Sequence, residues 1–127
     1  MKMKEALKNR ILIADGAMGT ILYSEGLDTC PESYNLTHPK KIEKIHRSYI
    51  EAGADVIQTN TYGANFEKLQ IYNLEHRVKD IHKEAVRIAK RASNEDTFIL
   101  GTVGGFRNIR KSDLSIESIQ YHTEIQI

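Results

Sequence analysis

Three stretches of this chain set small and polar side chains directly after apolar runs: Asp15-Gly16 after Ile11-Leu12-Ile13-Ala14, Thr59-Asn60-Thr61 after Val56-Ile57, and Gly101-Thr102 with Gly104-Gly105 after Phe98-Ile99-Leu100. A carboxylate where an apolar run ends, followed by residues whose backbone can approach a ligand, is a common way to build a site. Asp15 can accept hydrogen bonds from an ammonium group or orient a neighbour. Asn60 and Thr61 supply donors and acceptors, and amides beside glycine can hold a carboxylate. Together these groups suit an amino acid zwitterion. Each also has a local reading: Asp15-Gly16 as a plain turn, and Asn60 and Thr61 bonded to nearby turn backbone.

Other polar residues carry weaker signals. Cys30 has no Cys or His companion at zinc-ligand spacing. His46 falls on the apolar face of its helix, as a packed core histidine does. His76 and His82 stand six apart, so they do not share a helix face. The glycines at 101, 104 and 105 lack the Gly-Lys-Ser/Thr of a phosphate loop. Arg107, Arg110 and Lys111 read as a solvated loop.

The elements that must position these groups alternate. Lys4 to Arg10 reads as a short lead-in helix, and 11–14 as a first, buried strand. Thr20 to Glu25 makes about two helical turns stopped by Gly26. Leu27 to Leu36, broken by Pro31, reads as a loop. Thr37 near the N-cap and Pro39 in the first turn then open a helix. Its stripe is Ile42, Ile45, His46, Tyr49 and Ile50, with Gly53 at its end. A second strand spans 55–60, a short helix Asn65 to Tyr72, and a long one Leu74 to Ser93, striped by Leu74, Val78, Ile81, Ala85, Ile88 and Ala92. A third strand, 97–103, and a helix capped by Ser115 over Ile116 to Ile127 complete the order. Strand and helix in alternation predict parallel βα units, with loops that share one mouth at the strand carboxyl ends. The expected strands are 11–14, 56–59 and 98–102, adjacent and parallel, with helices 39–52 and 75–92 on one side.

Composition narrows the classes. The chain of 127 residues is one domain's worth, with no linker inside it. Its 18 Lys and Arg against 17 acids create no field that selects nucleic acid or an anionic membrane. No apolar run approaches the ~20 residues of a membrane span, and Met1 to Ala6 lacks a signal-peptide core. The single cysteine excludes an internal disulfide and fits a reducing compartment. The expectation is a cytoplasmic protein with neither nucleic-acid nor membrane partners.

Several spaced motifs resemble the start of a homocysteine S-methyltransferase domain. They are Ile13-Ala14-Asp15-Gly16-Ala17-Met18-Gly19-Thr20, Asn35-Leu36-Thr37-His38-Pro39, and Ala52-Gly53-Ala54-Asp55-Val56-Ile57-Gln58-Thr59-Asn60-Thr61-Tyr62-Gly63-Ala64-Asn65. Glu84-Ala85-Val86-Arg87-Ile88-Ala89 and Gly101-Thr102-Val103-Gly104-Gly105 follow in order. The likeness covers about residues 10–127 and runs to the bacterial bifunctional form, in which this domain precedes a methylenetetrahydrofolate reductase. Gly105 stands where many relatives have proline.

The resemblance implies a (β/α)8 TIM barrel that transfers a methyl group to the homocysteine thiol on a zinc ion held by three cysteines, two of them adjacent in a Gly-Gly-Cys-Cys-Gly-like segment. Cys30 matches none of them, so no metal ligand and no catalytic residue is expected within the chain. A barrel takes about 250 residues. Residues 1–127 therefore read as its N-terminal portion, about three βα units, with the barrel not closed. What the resemblance leaves here is a substrate-binding set: Asp15, Gly16, Ala17, Asn60, Thr61 and Tyr62. It implies homocysteine and a methyl donor as partners, the donor a methylated folate or S-methylmethionine, and FAD only where a reductase domain follows.

Zinc matters because a thiol with a pKa of ~8.5 is a poor nucleophile until a metal holds it as thiolate. The chain alone is thus expected to be inactive and, with an open strand edge, to self-associate. Two rivals stand beside this reading. A phosphate-binding lyase or aldolase barrel would place a Schiff-base lysine at a strand end, where this chain has none. A non-catalytic binding or assembly module is the other.

Overall fold

The computed structural model describes residues 2–105. The Arg107 to Lys111 loop and the helix expected over Ile116 to Ile127 lie outside them. The described elements run α1 Met3–Asn9, α2 Gly19–Ser24, a 3₁₀ turn Pro31–Ser33, α3 Tyr34–Thr37, α4 Pro39–Glu51, β1 Val56–Gln58, α5 Phe66–Gln70, a 3₁₀ turn Glu75–Arg77, α6 Val78–Ala92 and β2 Phe98–Leu100.

β1 and β2 pair in parallel, Val56 beside Phe98, Ile57 beside Ile99 and Gln58 beside Leu100. Because side chains alternate along a strand, Ile57 and Ile99 share one face, while Gln58 and Leu100 share the other. Ile57 is fully buried, whereas Gln58 and Leu100 are exposed, although Val56 on their face is buried as well. α4 and α6 pack against each other, and α4 also meets β1, as expected for helices on one side of a parallel sheet.

The expected strand at 11–14 needs correcting. It is a single parallel bridge, Ala14 to Val56, and Ile11 and Ile13 are exposed rather than buried. The Ile13 carbonyl accepts the N–H groups of Asp55 (2.7 Å) and Val56 (3.1 Å), and the Asp15 N–H donates to Val56 (2.8 Å). What replaces further rungs is a side chain. Asp55 accepts the Ile13 N–H at 2.9 Å and an Arg10 guanidinium N–H at 2.8 Å, clamping 10–13 to the start of β1. Among the described residues the sheet thus has two strands and one bridged segment, and β1 and β2 are each shorter than their predicted runs.

Residues 27–36 are also more ordered than a loop. Pro31 starts a 3₁₀ turn, where a missing N–H is harmless. The Ser33 hydroxyl donates to the Cys30 carbonyl at 2.7 Å, and α3 follows directly. His38, not Thr37, is the N-cap of α4. The Thr37 hydroxyl instead donates back to Ser33 and lies 2.8 Å from His38 Nδ1. α2 and α4 end as predicted, at Gly26 (φ +99°) and Gly53 (φ +108°). Past each glycine the next N–H returns to a carbonyl in the helix's last turn, Leu27 to Leu22 and Ala54 to Tyr49, a left-handed cap that residues with a Cβ enter at a penalty.

Two apolar cores hold these pieces. Leu22, Leu27, Ile42, Ile45 and Ile88 join α2, α4 and α6, with Met18, Ile21, Tyr34 and Tyr49 against them. Cys30, Ala64, Leu69, Val78 and Ile81 form the second, under the loop that follows β1. Of the stripe predicted for the 74–93 helix, Val78, Ile81, Ala85, Ile88 and Ala92 are buried on α6, with Ala89 added. Leu74 is only partly buried and precedes the 3₁₀ turn, so the helix starts at Val78.

The Asp55 clamp makes stability depend on acid. The Ile13 N–H and then the Arg10 guanidinium hold its carboxyl below the usual carboxylate range. A depressed folded value contributes stability that is complete above the unfolded value of ~3.9 and is lost as pH falls through the folded one. Thermal unfolding of Asp55→Asn should therefore show a lower Tm than wild type at pH 7. The gap should close as the pH drops below about 4, and a gap that stays constant with pH would exclude the clamp.

Candidate functional site

The carboxyl ends of the three parallel segments open on one cavity of about 320 Å³, whose walls include Asp15, Gly16, Gln58, Asn60, Thr61, Tyr62 and Thr102. Met18, Gly19, Pro31 and Glu32 complete its outer side. Of the six residues singled out in the sequence, five line it, and Ala17 does not. A larger hollow of about 700 Å³ lies between α6 and residues 101–103, lined by His82, Lys83, Val86 and Arg87. It shares only Thr61 with the predicted set.

Asp15 sits where the bridged segment leaves the sheet. One carboxylate oxygen accepts the Gln58 backbone N–H at 3.0 Å and the other the Gln58 side-chain amide at 3.3 Å. The Gln58 carbonyl oxygen in turn accepts the Thr102 hydroxyl at 3.2 Å. One polar row, Asp15–Gln58–Thr102, thus crosses all three segment ends. The turn after Asp15 is pinned from α4: the Tyr49 hydroxyl donates to the Ala17 carbonyl at 2.6 Å. A Cβ at Gly16 would lie 3.2 Å from that hydroxyl, so glycine gives Tyr49 its approach. Gly16 and Ala17 keep their N–H groups free of partners among the described residues.

Asn60 and Thr61 are buried and bonded to protein. Asn60 donates its side-chain amide to the Pro31 carbonyl (2.9 Å) and to Asn35 Oδ1 (3.0 Å). Asn35 returns a bond to the Asn60 backbone carbonyl at 2.8 Å and a weaker one to Ile81. The Thr61 hydroxyl donates to the Thr102 carbonyl at 2.7 Å and lies 2.8 Å from the Thr59 hydroxyl, which accepts the Thr102 N–H. These two residues shape the mouth by bonding its walls together. Tyr62 is the exposed member, its ring under the Lys68 ammonium at 4.8 Å.

Two polar wall residues escaped the sequence reading. Gln58 continues an apolar strand, and only its polarity between Ile57 and Thr59 marked it. Glu32 follows a proline in what read as loop, yet it is 7% exposed and accepts the Gly63 N–H at 2.7 Å. Just behind the mouth, His46 is fully buried with neither ring nitrogen bonded among the described residues. Burial lowers its pKa, against the opposite pull of Asp15 and Glu43, and keeps it neutral at pH 7.

The donor set does not suit a zinc ion. Among the described residues no three His, Cys, Asp or Glu side chains gather closely enough to hold a metal. Cys30 is buried in the second core, where burial first, and the Glu32 charge in addition, push its thiol up. A metal-binding thiol is instead drawn down toward thiolate. Among the described residues no helix is long and apolar enough to cross a membrane.

Comparison with known proteins adds to this geometry. The sequence profile of the family described as homocysteine S-methyltransferase matches residues 12–126. Methionine synthase of Mycobacterium tuberculosis is 37% identical over 114 residues, covering 79% of this chain, and that of Mycobacterium leprae is 38% identical over the same length. The chain spans about a tenth of the length of these curated relatives. The metallated form of the Escherichia coli homocysteine methyltransferase MmuM superposes on 98% of the chain with a TM-score of 0.80. Identity there is 21%, and the match takes in 51% of the MmuM chain, so it speaks to fold.

Asn35 is the residue on which the mouth should prove most sensitive. Asn35→Ala leaves one Asn60 amide hydrogen and the Asn60 carbonyl without their partner in a buried place, and each unsatisfied group costs about 1–3 kcal/mol. Urea unfolding should show a loss of about 2 kcal/mol or more. Asn9→Ala, which removes an exposed bond to the Glu5 carbonyl, should stay within about 0.5 kcal/mol.

Proposed function

Because the chain belongs to the homocysteine S-methyltransferase family, we propose that its strand-end cavity holds the amino acid end of homocysteine, within a protein that methylates the homocysteine thiol to give methionine. The observation that carries this reading is the convergence of Asp15, Gly16, Asn60, Thr61 and Tyr62 on one cavity at the carboxyl ends of parallel segments, where α/β folds place their ligands. The whole protein's substrates, homocysteine and a methyl donor, enter with this proposal, as does the (β/α)8 barrel to which the described βα elements would contribute.

The parts divide by charge. Asp15 gives each oxygen to one Gln58 donor, and each retains a lone pair for an ammonium group. The unpartnered N–H group of Gly16, which lines the cavity, suits the substrate carboxylate. Asn60 and Thr61 hold the walls at their spacing, and Tyr62 offers an exposed apolar surface at the rim. Thiol activation by zinc requires cysteines that this chain, with Cys30 alone, does not supply. These residues therefore bind and orient, and the isolated chain is expected to form no methionine.

Titration of the isotope-labelled chain with L-homocysteine should move the amide signals of Asp15 to Ala17 and of Asn60 to Tyr62. A bond from ammonium to carboxylate contributes about 1.5–3 kcal/mol, so Asp15→Ala should weaken binding about 10- to 100-fold. Unchanged affinity in that variant, or shifts scattered away from the strand ends, would remove Asp15 and this cavity from the reading.

A further inference from the structure

A carboxylate at the mouth has more hydrogen-bonding capacity than the fold uses. Glu32 lies in the 3₁₀ turn Pro31–Ser33, 7% exposed, and its carboxylate lines the same cavity as Asp15. Oε1 accepts the Gly63 N–H at 2.7 Å, and the fit is close: a Cβ on Gly63 would come within 2.8 Å of that oxygen. Oε2 has no hydrogen-bond partner among the described residues and keeps some contact with solvent. Nor does any Lys, Arg or His form an ion pair with Glu32 or Asp15 among them.

The contact with Gly63 needs only an acceptor. A neutral amide oxygen would serve it equally well, without setting a charge in a largely buried residue that has no cation beside it. The negative charge is thus surplus to the role of holding the loop after β1. Two carboxylates facing one cavity, with no resident cation beside them, fit a ligand that brings the cation. No group of three metal-type donors stands there among the described residues, which disfavours a metal ion in that part.

We propose that Glu32 is a second substrate-contacting carboxylate, its Oε2 receiving the ammonium group of the amino acid bound between it and Asp15. This rests on the homocysteine reading of the cavity and adds a residue to it. Glu32 then does two things at once: Oε1 fixes the Thr61–Gly63 turn, and Oε2 selects a ligand with a primary ammonium over one without.

The test compares L-homocysteine with 4-mercaptobutanoate, which keeps the thiol and carboxylate but lacks the ammonium group. Each is titrated into the wild-type chain and into Glu32→Gln, whose amide oxygen can still accept the Gly63 N–H. In the variant, affinity for homocysteine should fall about tenfold or more, as for loss of one charge-assisted bond. Affinity for 4-mercaptobutanoate should not change, and the Gly63 amide should remain protected from exchange. Unchanged homocysteine affinity would overturn the proposal, and so would equal loss of both ligands, the mark of a structural role. Should Glu32→Gln fail to fold, the wild-type Glu32 side-chain carboxyl ¹³C signal decides. It must respond to homocysteine and not to 4-mercaptobutanoate, and the reverse or an equal response would sink the idea. A wild-type chain that binds neither thiol refutes the homocysteine reading itself, a result distinct from one in which homocysteine binds without Glu32.

Discussion

The paired amides of Asn35 and Asn60 set the shape of the mouth. Asn35 comes from α3 and Asn60 from the end of β1, and each donates to the other, to the Asn35 side-chain oxygen in one direction and the Asn60 backbone carbonyl in the other. Both residues are buried. An amide in such a place has its bonds or destabilises the fold, which leaves residues 31–35 little freedom relative to the sheet. The Pro31 carbonyl is held by the same Asn60 amide, and Glu32, next in sequence, is thereby carried to Gly63. One wall of the cavity follows from one pair of side chains. The weaker bond from Asn35 to the Ile81 carbonyl extends the tie to α6.

The opposite wall is set from α4. Its Schellman-type end at Gly53 turns the chain into β1, while Tyr49, one turn earlier, reaches the Ala17 carbonyl. The same helix buries His46 beside Asp15 without a bonded partner among the described residues, a neutral ring where a charged one would be poorly solvated. The hydrophobic seam between α4 and α6 therefore does more than stabilise. It fixes the distance between the turn carrying Asp15 and the loop carrying Asn60, because each helix is bonded to one of them.

How far this was legible in the sequence depended on the range of the determining contact. α4 and α6 were readable because a buried stripe at helical spacing is a local pattern, and Gly26 and Gly53 because a left-handed cap is a local demand. The run 11–14 was misleading: three apolar residues indicate burial but do not say how many rungs the neighbouring strand offers. The Asp55 carboxylate, more than 40 residues away, supplies much of the pairing instead. Residues 27–36 read as loop since turns of three or four residues show no periodicity, and Pro31 looks like a breaker when it is in fact a first helical residue. Asn60 was placed at the mouth from its position after a strand, but its amide is spent on Asn35 and Pro31. Glu32 left no trace, because its burial is decided by Gly63, 31 residues on.

These observations separate holding a substrate from activating it. At the mouth the described residues present carboxylate oxygens at Asp15 and Glu32 and an unpartnered amide at Gly16, a distribution complementary to a zwitterion. The chain's thiol points the other way in chemical terms. Cys30 packs with Ala64, Leu69 and Ile81, and its burial, reinforced by the charge of Glu32, opposes ionisation. The same carboxylate that would attract an ammonium group therefore suppresses a thiolate two residues away. On the proposed reading, a single electrostatic feature favours an ammonium group at the mouth and disfavours a thiolate at Cys30.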